Sequence, residues 1–349
     1  MSPYSVLSEP PGRGRPPRRR RRVWPWLLVV LVVVVAAAIV VPTALDHASD
    51  GGQTTTAAKG SVGGGDDSGL QGRPSVATNP NVAPAIAAYA HRGVPPAQRV
   101  AMHFKVPPTA GLLFDVKTGR VLWARHAGKV LSIASLTKMM TALLVVRSEP
   151  PNAEVRVTKQ ALAYKGSGVG VLPRHKKVQL ETLLYGLMLP SGNDAAIALA
   201  QKVAGGSVRQ FVRTMNRQAR KWGLTCTHYS GPDGFDDKGN KSCARDLAVL
   251  GRQILRNKRL AKIVRTRKAV RPFPVKGHRI YLYNNNTLMA RMSYPGVIGV
   301  KTGFTSKAGH CLVAAARRGH RTLGIVLLHS PDTAAQAAKL LNAGFKKTV

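Results

Sequence analysis

Hydrophobic and polar positions divide the chain into segments of different character. Leu27 to Val41 is an unbroken run of Leu, Val, Ala and Ile, and no charged residue falls between Val23 and Leu45. Residues 46–104 show no period and are dominated by Gly, Ser, Thr, Ala, Asp and Pro. Beyond residue 105, Gly111–Val116 and Arg120–Ala124 read as strands around a turn at Lys117-Thr118-Gly119. Helical spacing follows in Met139–Leu144, Thr182–Met188, Asp194–Val203, Phe211–Trp222 and Ala244–Arg256. Strand-like runs return at Val297–Val300, Cys311–Ala316 and Thr322–Leu328, before a last helix from about Thr333 to Phe345. Strands early and late with helices between predict an α+β domain: an antiparallel sheet built from both ends, with a helical cluster inserted.

The first apolar run sets the domain organisation. As a helix, residues 23–45 reach roughly 34 Å, enough to cross a hydrocarbon core of about 30 Å. Trp24 and Trp26 stand where interfacial aromatics stand, and seven arginines before the span place the N-terminus in the cytoplasm. A cleaved signal peptide is the competing reading. No Ala-x-Ala follows the run, and cleavage after Ala44 or Ala48 would put Pro42 or Asp46 at the −3 position, which favours an uncleaved single-pass anchor. The expected layout is a basic cytoplasmic tail over 1–22, a transmembrane helix over 23–45, a disordered linker over 46–104, and a folded domain over 105–349. The linker cannot bury enough apolar surface to order itself.

Charge sharpens this picture. The chain has 53 Lys and Arg against 15 Asp and Glu, a net charge of +38. Nucleic acid is the reflex partner for such an excess, but a domain beyond a bilayer meets anionic wall polymers and lipid head groups instead. Wall polymers are therefore candidate partners, and nucleic acid is not expected. The competing reading is a solvated basic surface without a specific partner.

Ser135 and Lys138 carry the candidate chemistry. They stand three apart at a helix start, so the amine lies beside the hydroxyl. A serine needs a base to become a nucleophile, and a lysine is that base only when desolvation or a second cation keeps it neutral. Alone, Ser-x-x-Lys is more often a helix cap beside a surface lysine. Ser191-Gly192-Asn193 on a loop between helices, and Lys301-Thr302-Gly303 following a strand, complete a trio characteristic of penicillin-binding proteins and β-lactamases. Lys117-Thr118-Gly119 has the same letters but precedes Ser135 and fills a hairpin turn.

Around these motifs the chain resembles the D-alanyl-D-alanine carboxypeptidases, the low-molecular-mass serine penicillin-binding proteins. The likeness is carried by Ile133–Thr141, Leu184–Ala196 and Lys301–Thr305, with further matches in Phe211–Asn216 and Ala308–Val313. It implies a β-lactamase-like or transpeptidase-like fold and removal of the terminal D-alanine from peptidoglycan stem pentapeptides, with β-lactams as inhibitors. It further implies Ser135 as nucleophile and Lys138 as base, its pKa depressed by Lys301. Ser191 would relay a proton, Asn193 would bind substrate, and Thr302 would bind the terminal carboxylate. Gly303 is the third residue of that motif, and the N–H groups of Ser135 and Phe304 would form the oxyanion hole. No cofactor is expected, and no metal, since the histidines are scattered without a His-x-x-x-His pair.

The chain departs from the family pattern. Ser330 to Ala338 contains no basic residue where relatives often place an arginine for the carboxylate, leaving Lys301, Thr302 and Thr305. A β-lactamase or endopeptidase of the same fold is the alternative activity. No Glu follows Glu181 to activate a deacylating water, although Asp233 or Asp236 stands in reach of that role. A non-turnover β-lactam sensor or wall-binding protein is the alternative class, against which the intact trio argues. Cys226 and Cys243 enclose 16 residues in an oxidising compartment, a disulfide the sequence leaves open, while Cys311 reads as a buried thiol.

Overall fold

A computed structural model describes residues 100–235, 239–275 and 277–347. The tail, the apolar span and nearly all of the linker expected above lie outside these residues, as does Asp236. Among the described residues, no helix is long and apolar enough to cross a membrane.

The chain opens with β1 (Ala110–Asp115), β2 (Val121–Arg125) and the short β3 (Leu131–Ser132), and then enters α1 (Lys138–Ser148). β4 (Glu154–Arg156), α2 (Lys159–Leu162) and β5 (Lys177–Gln179) lead to α3 (Leu180–Met188), α4 (Asn193–Val203) and α5 (Val208–Lys221). After β6 (Lys241–Ser242) come α6 (Ala244–Arg256) and α7 (Lys258–Arg265), then the hairpin β7 (Lys268–Pro272) and β8 (Arg279–Tyr283). α8 (Thr287–Ala290), β9 (Val297–Thr305), β10 (Gly309–Arg318), β11 (Arg321–Ser330) and α9 (Thr333–Lys346) close the domain.

The main sheet is antiparallel in the order β2-β1-β11-β10-β9, so the two ends of the domain meet in one sheet. Alternation assigns its faces. Leu113, Leu312, Ile325 and Leu327 face a core shared with Leu340 and Leu341 of α9. Leu112, Phe114, Val313 and Val326 face the helical cluster, where α1 is buried from Lys138 to Val145. The α+β architecture expected from the pattern is therefore present.

Three local features differ from the pattern. Lys301-Thr302-Gly303 lies within β9 rather than after it, because pairing with β10 continues to Thr305 opposite Gly309. Ser135 sits in a 3₁₀ turn, Ala134–Thr137, and the α-helix proper starts at Lys138. The hairpin β7–β8 was not legible because Pro272, Pro274 and many cations interrupt its alternation, and in its strands only Ala269, Ile280 and Leu282 are buried.

Candidate active site

The candidate side chains reach the site from several elements. The 3₁₀ turn exposes part of Ser135, while Lys138, one turn on, is completely buried. Lys138 Nζ lies 2.8 Å from Ser135 Oγ, 2.6 Å from Asn193 Oδ1 and 2.6 Å from the carbonyl of Asp233. As an ammonium it donates to all three. As a neutral amine it keeps two N–H groups, which the two carbonyl oxygens can take, and its lone pair is then left facing Ser135 Oγ.

Burial lowers the Lys138 pKa to about 7, against the attraction of Asp233 and Asp194, which raises it. Of the two causes expected from sequence, desolvation is the larger, and repulsion between Lys138 and Lys301 acts beside it. Lys301 is itself held well below the ordinary lysine range, first by burial and then by the nearby Lys138. Its Nζ donates to Ser191 Oγ at 2.9 Å and to the carbonyl of Thr302 at 2.9 Å. Ser191 adopts φ 73°, a left-handed conformation that costs a non-glycine residue about 1–3 kcal/mol.

Asn193 bridges two walls: its Oδ1 accepts from Lys138, and its Nδ2 donates to the carbonyl of Lys165. The next residue, Asp194, accepts from the N–H groups of Val169 at 2.9 Å, Ala195 at 2.7 Å and Gly170 at 3.3 Å. It ties the 165–170 loop to the start of α4, where its charge also suits the helix N-terminus.

Close backbone approach explains two glycines. A Cβ on Gly303 would stand 2.9 Å from the Ile133 carbonyl and 3.2 Å from Ser135 N, so β9 runs against the nucleophile's backbone only without a side chain there. Gly234, at φ 83°, lies against Ala134, whose carbonyl would be 2.0 Å from an added Cβ. The loop bearing Asp233 is held further by Thr141 Oγ1, which donates to the Pro232 carbonyl at 2.6 Å. Its base is closed by a disulfide between Cys226 and Cys243, with Cα atoms 5.5 Å apart. Asp246 approaches both sulfurs, but these are bonded to each other, and its carboxylate accepts from Cys226 N and Thr227 Oγ1.

Ser135 lines two clefts. One, about 370 Å³, runs between Ser167, Asn193, Phe235 and Phe304. The other, about 240 Å³, includes Ser191, Asn285, Thr302, His310 and Thr333. Thr302 Oγ1 donates to Asn285 Oδ1 at 2.8 Å, and the His310 ring lies 4.5 Å from that of Phe304. Thr305 Oγ1 accepts from Ala308 N at 3.1 Å in the β9–β10 turn. Asn285, His310 and the Asp233 carbonyl were not singled out in the sequence. A backbone carbonyl has no sequence signal, and Asn285 sits in a run of three asparagines with nothing to rank one above another. The Asp233 carboxylate caps the N–H of Phe235 at 3.2 Å.

The arrangement is a buried amine aimed at an accessible hydroxyl, with a second buried lysine and a serine beside it. Comparison with known proteins fits that chemistry. The D-alanyl-D-alanine carboxypeptidase family model, peptidase S11, matches residues 98–332. A D-alanyl-D-alanine carboxypeptidase of Streptomyces sp. (strain K15) is 36% identical over 258 residues, covering 69% of this chain and 88% of the relative. DacF, a D-alanyl-D-alanine carboxypeptidase of Bacillus subtilis (strain 168), is 32% identical over 247 residues; the match covers 68% of this chain and 62% of DacF. Among solved structures, a D-alanyl-D-alanine carboxypeptidase from Mycobacterium tuberculosis H37Rv superposes with a TM-score of 0.67 at 32% identity, covering 73% of this chain and 97% of that one. The Streptomyces K15 DD-transpeptidase gives 0.66 at 33% identity, covering 71% and 100%.

Proposed function

The chain belongs to the D-alanyl-D-alanine carboxypeptidase family, and on that premise we propose that it removes the terminal D-alanine from peptidoglycan stem peptides through an acyl-enzyme at Ser135. The observation that carries this reading is the 2.8 Å contact between Ser135 Oγ and a fully buried Lys138 whose pKa lies near 7. A base poised at the working pH combines an unprotonated fraction with useful proton affinity.

Ser135 Oγ attacks the carbonyl between the two D-alanines as its proton passes to Lys138 Nζ. The oxyanion forms beside the Ser135 and Phe304 N–H groups, where β9 runs against the 3₁₀ turn. The C–N bond then breaks as the proton on Lys138 passes by way of Ser191, which Lys301 holds in place, to the leaving nitrogen, and Lys138 returns to its neutral form. Water attacks the ester carbonyl and gives its proton to Lys138, which returns it to Ser135 Oγ as the ester bond breaks. The terminal carboxylate sits in the cleft of Thr302, Asn285 and His310, with Thr302 and Gly303 presenting the edge of β9. β-Lactams acylate the same oxygen.

The acyl-enzyme also serves transfer to an amine. The DD-transpeptidase among the similar structures supports that second reading, which differs only in the final acceptor.

The family acts at the cell wall, and the catalytic unit, residues 105–349, is extracytoplasmic in this reading. Residues 23–45 anchor it, residues 46–104 tether it, and the basic tail stays in the cytoplasm. Its cationic surface meets anionic wall polymers. The deciding experiment is release of free D-alanine from a pentapeptide, with muropeptide products identified by mass spectrometry. Ring-opening of a β-lactam at a catalytic rate with no D-alanine released would overturn the reading in favour of a β-lactamase.

A further inference from the structure

A cavity of about 620 Å³ opens away from Ser135. Its walls come from the β1–β2 turn, the C-terminal turns of α6 and α7, the first residues of β9 and the β10–β11 turn. Ile298, at its edge, and Phe304, beside Ser135, lie six residues apart on one strand, which separates the two sites by about 20 Å.

The lining is one-sided in charge. Lys117, Arg252, Arg256, Arg265, Arg317 and His320 contribute to it, and no carboxylate does. Arg252 is held in position, since its Nε donates to the Val116 carbonyl and its Nη2 to the Lys117 carbonyl, both at 2.8 Å. Arg317 Nε is turned toward Thr322 Oγ1 at 3.3 Å. Arg256 and Arg265 lie in last helical turns, where the helix dipole favours a cation. That accounts for each position singly but leaves several full positive charges facing one concave space.

We propose that this cleft is a second binding site, for a phosphodiester polymer. A phosphodiester has two non-bridging oxygens in a tetrahedral arrangement, so it can accept from guanidinium groups on different walls at once. A carboxylate is best served by one fork in its own plane. Several cations in one cleft match a ligand that repeats its charge. Concavity matches a strand of polymer better than a flat bilayer. The choice of a wall polymer over nucleic acid rests on the extracytoplasmic reading above. Occupation of this cleft would hold the enzyme against the wall while leaving the Ser135 clefts open.

The test uses the full chain in uncharged detergent and synthetic poly(glycerol phosphate). Lys117→Gln/Arg256→Gln/Arg265→Gln removes three exposed cations from the cleft. Arg209→Gln/Arg213→Gln/Arg220→Gln removes the same charge from the convex, exposed surface of α5. The cleft variant should bind the polymer about tenfold more weakly, with a shallower salt dependence, and the α5 variant about as wild type. Both should melt as wild type. Equal losses in the two triple variants, or no loss in either, overturn the proposal. So does equal affinity for polyglutamate, displacement of the polymer by phosphatidylglycerol doped into the micelles, or tighter cleft-dependent capture of a DNA oligonucleotide. D-Alanine release is measured in the same samples. Its failure alongside cleft-dependent polymer binding removes the catalytic reading and keeps the cleft, and the reverse result does the opposite.

Discussion

The carbonyl of Asp233 accepts a hydrogen bond from Lys138 Nζ at 2.6 Å, joining residues 95 positions apart in the chain. With Asn193 Oδ1 it fixes which way the amine of Lys138 presents its lone pair. The setting of the proposed base is therefore built by a loop and a helix start that the Ser-x-x-Lys spacing does not contain.

Ser135→Ala should abolish covalent labelling by a fluorescent penicillin without changing the melting temperature, because the hydroxyl is only half buried in a turn that keeps its backbone bonds. Label surviving in this variant would remove Ser135 from the nucleophile's place.

Lys138 should serve both half-reactions. Lys138→Ala is expected to slow acylation by about 10²–10⁴-fold and to build up no acyl-enzyme. Because burial lowers its pKa to about 7, the neutral form is lost as pH falls below that value. Acylation by a β-lactam should then rise with pH and level off above about 7. A stable adduct formed by Lys138→Ala at the wild-type rate would assign the acylation base to another group, as would a wild-type profile flat across that range.

The disulfide should act on rate as well as on stability. Closing a loop of this size contributes about 3 kcal/mol in the chain-entropy model, and the loop it closes carries the Asp233 carbonyl. Cys226→Ser/Cys243→Ser should therefore lower the melting temperature and slow acylation, while Cys311 stays unreactive. That thiol is buried, and burial pushes its pKa up to about 11. Thiol titration of native, non-reduced protein should find no accessible thiol, and unfolded protein should show one. Three thiols on unfolding would end this account.

Asp194→Ala should cost about 3 kcal/mol, since it leaves several backbone N–H groups of the 165–170 loop and α4 without their acceptor. Asn285→Ala is expected to differ in kind. By releasing the Thr302 hydroxyl it should raise KM for the pentapeptide several-fold at nearly unchanged kcat. A loss of kcat at constant KM would place Thr302 outside substrate binding.

Much of this was legible in sequence, and what was not has a physical reason. The sheet closed by both ends followed from where the strand-like runs fell, because strands with one face on each core, such as β1 and β11, are buried on both faces and read as short continuous apolar runs. Short, ordered motifs bring Lys138 into hydrogen bonds with Ser135 and Asn193 and Lys301 into one with Ser191, and Ser135 and Ser191 line one cleft. Which of desolvation and a second cation leads the Lys138 shift was not legible. Complete burial depends on the packing of α4 and the Asp233 loop over α1, and no local pattern encodes that. Asn285, His310 and the basic cleft likewise arise where distant segments meet. Each contributes one ordinary polar residue that becomes informative only beside its neighbours.

Lys138 has no surface of its own, and Ser135 and Asn193, which it hydrogen-bonds, stand between it and the cleft they line. Once Ser135 Oγ carries an acyl group, the proton on the amine is out of reach of dissolved buffer. Its exit is the leaving nitrogen, and the proton later taken from water goes to Ser135 Oγ as the ester bond breaks. Turnover at fixed pH should then be indifferent to the concentration or identity of the buffer, as in a closed circuit that exchanges charge only with its own reactants.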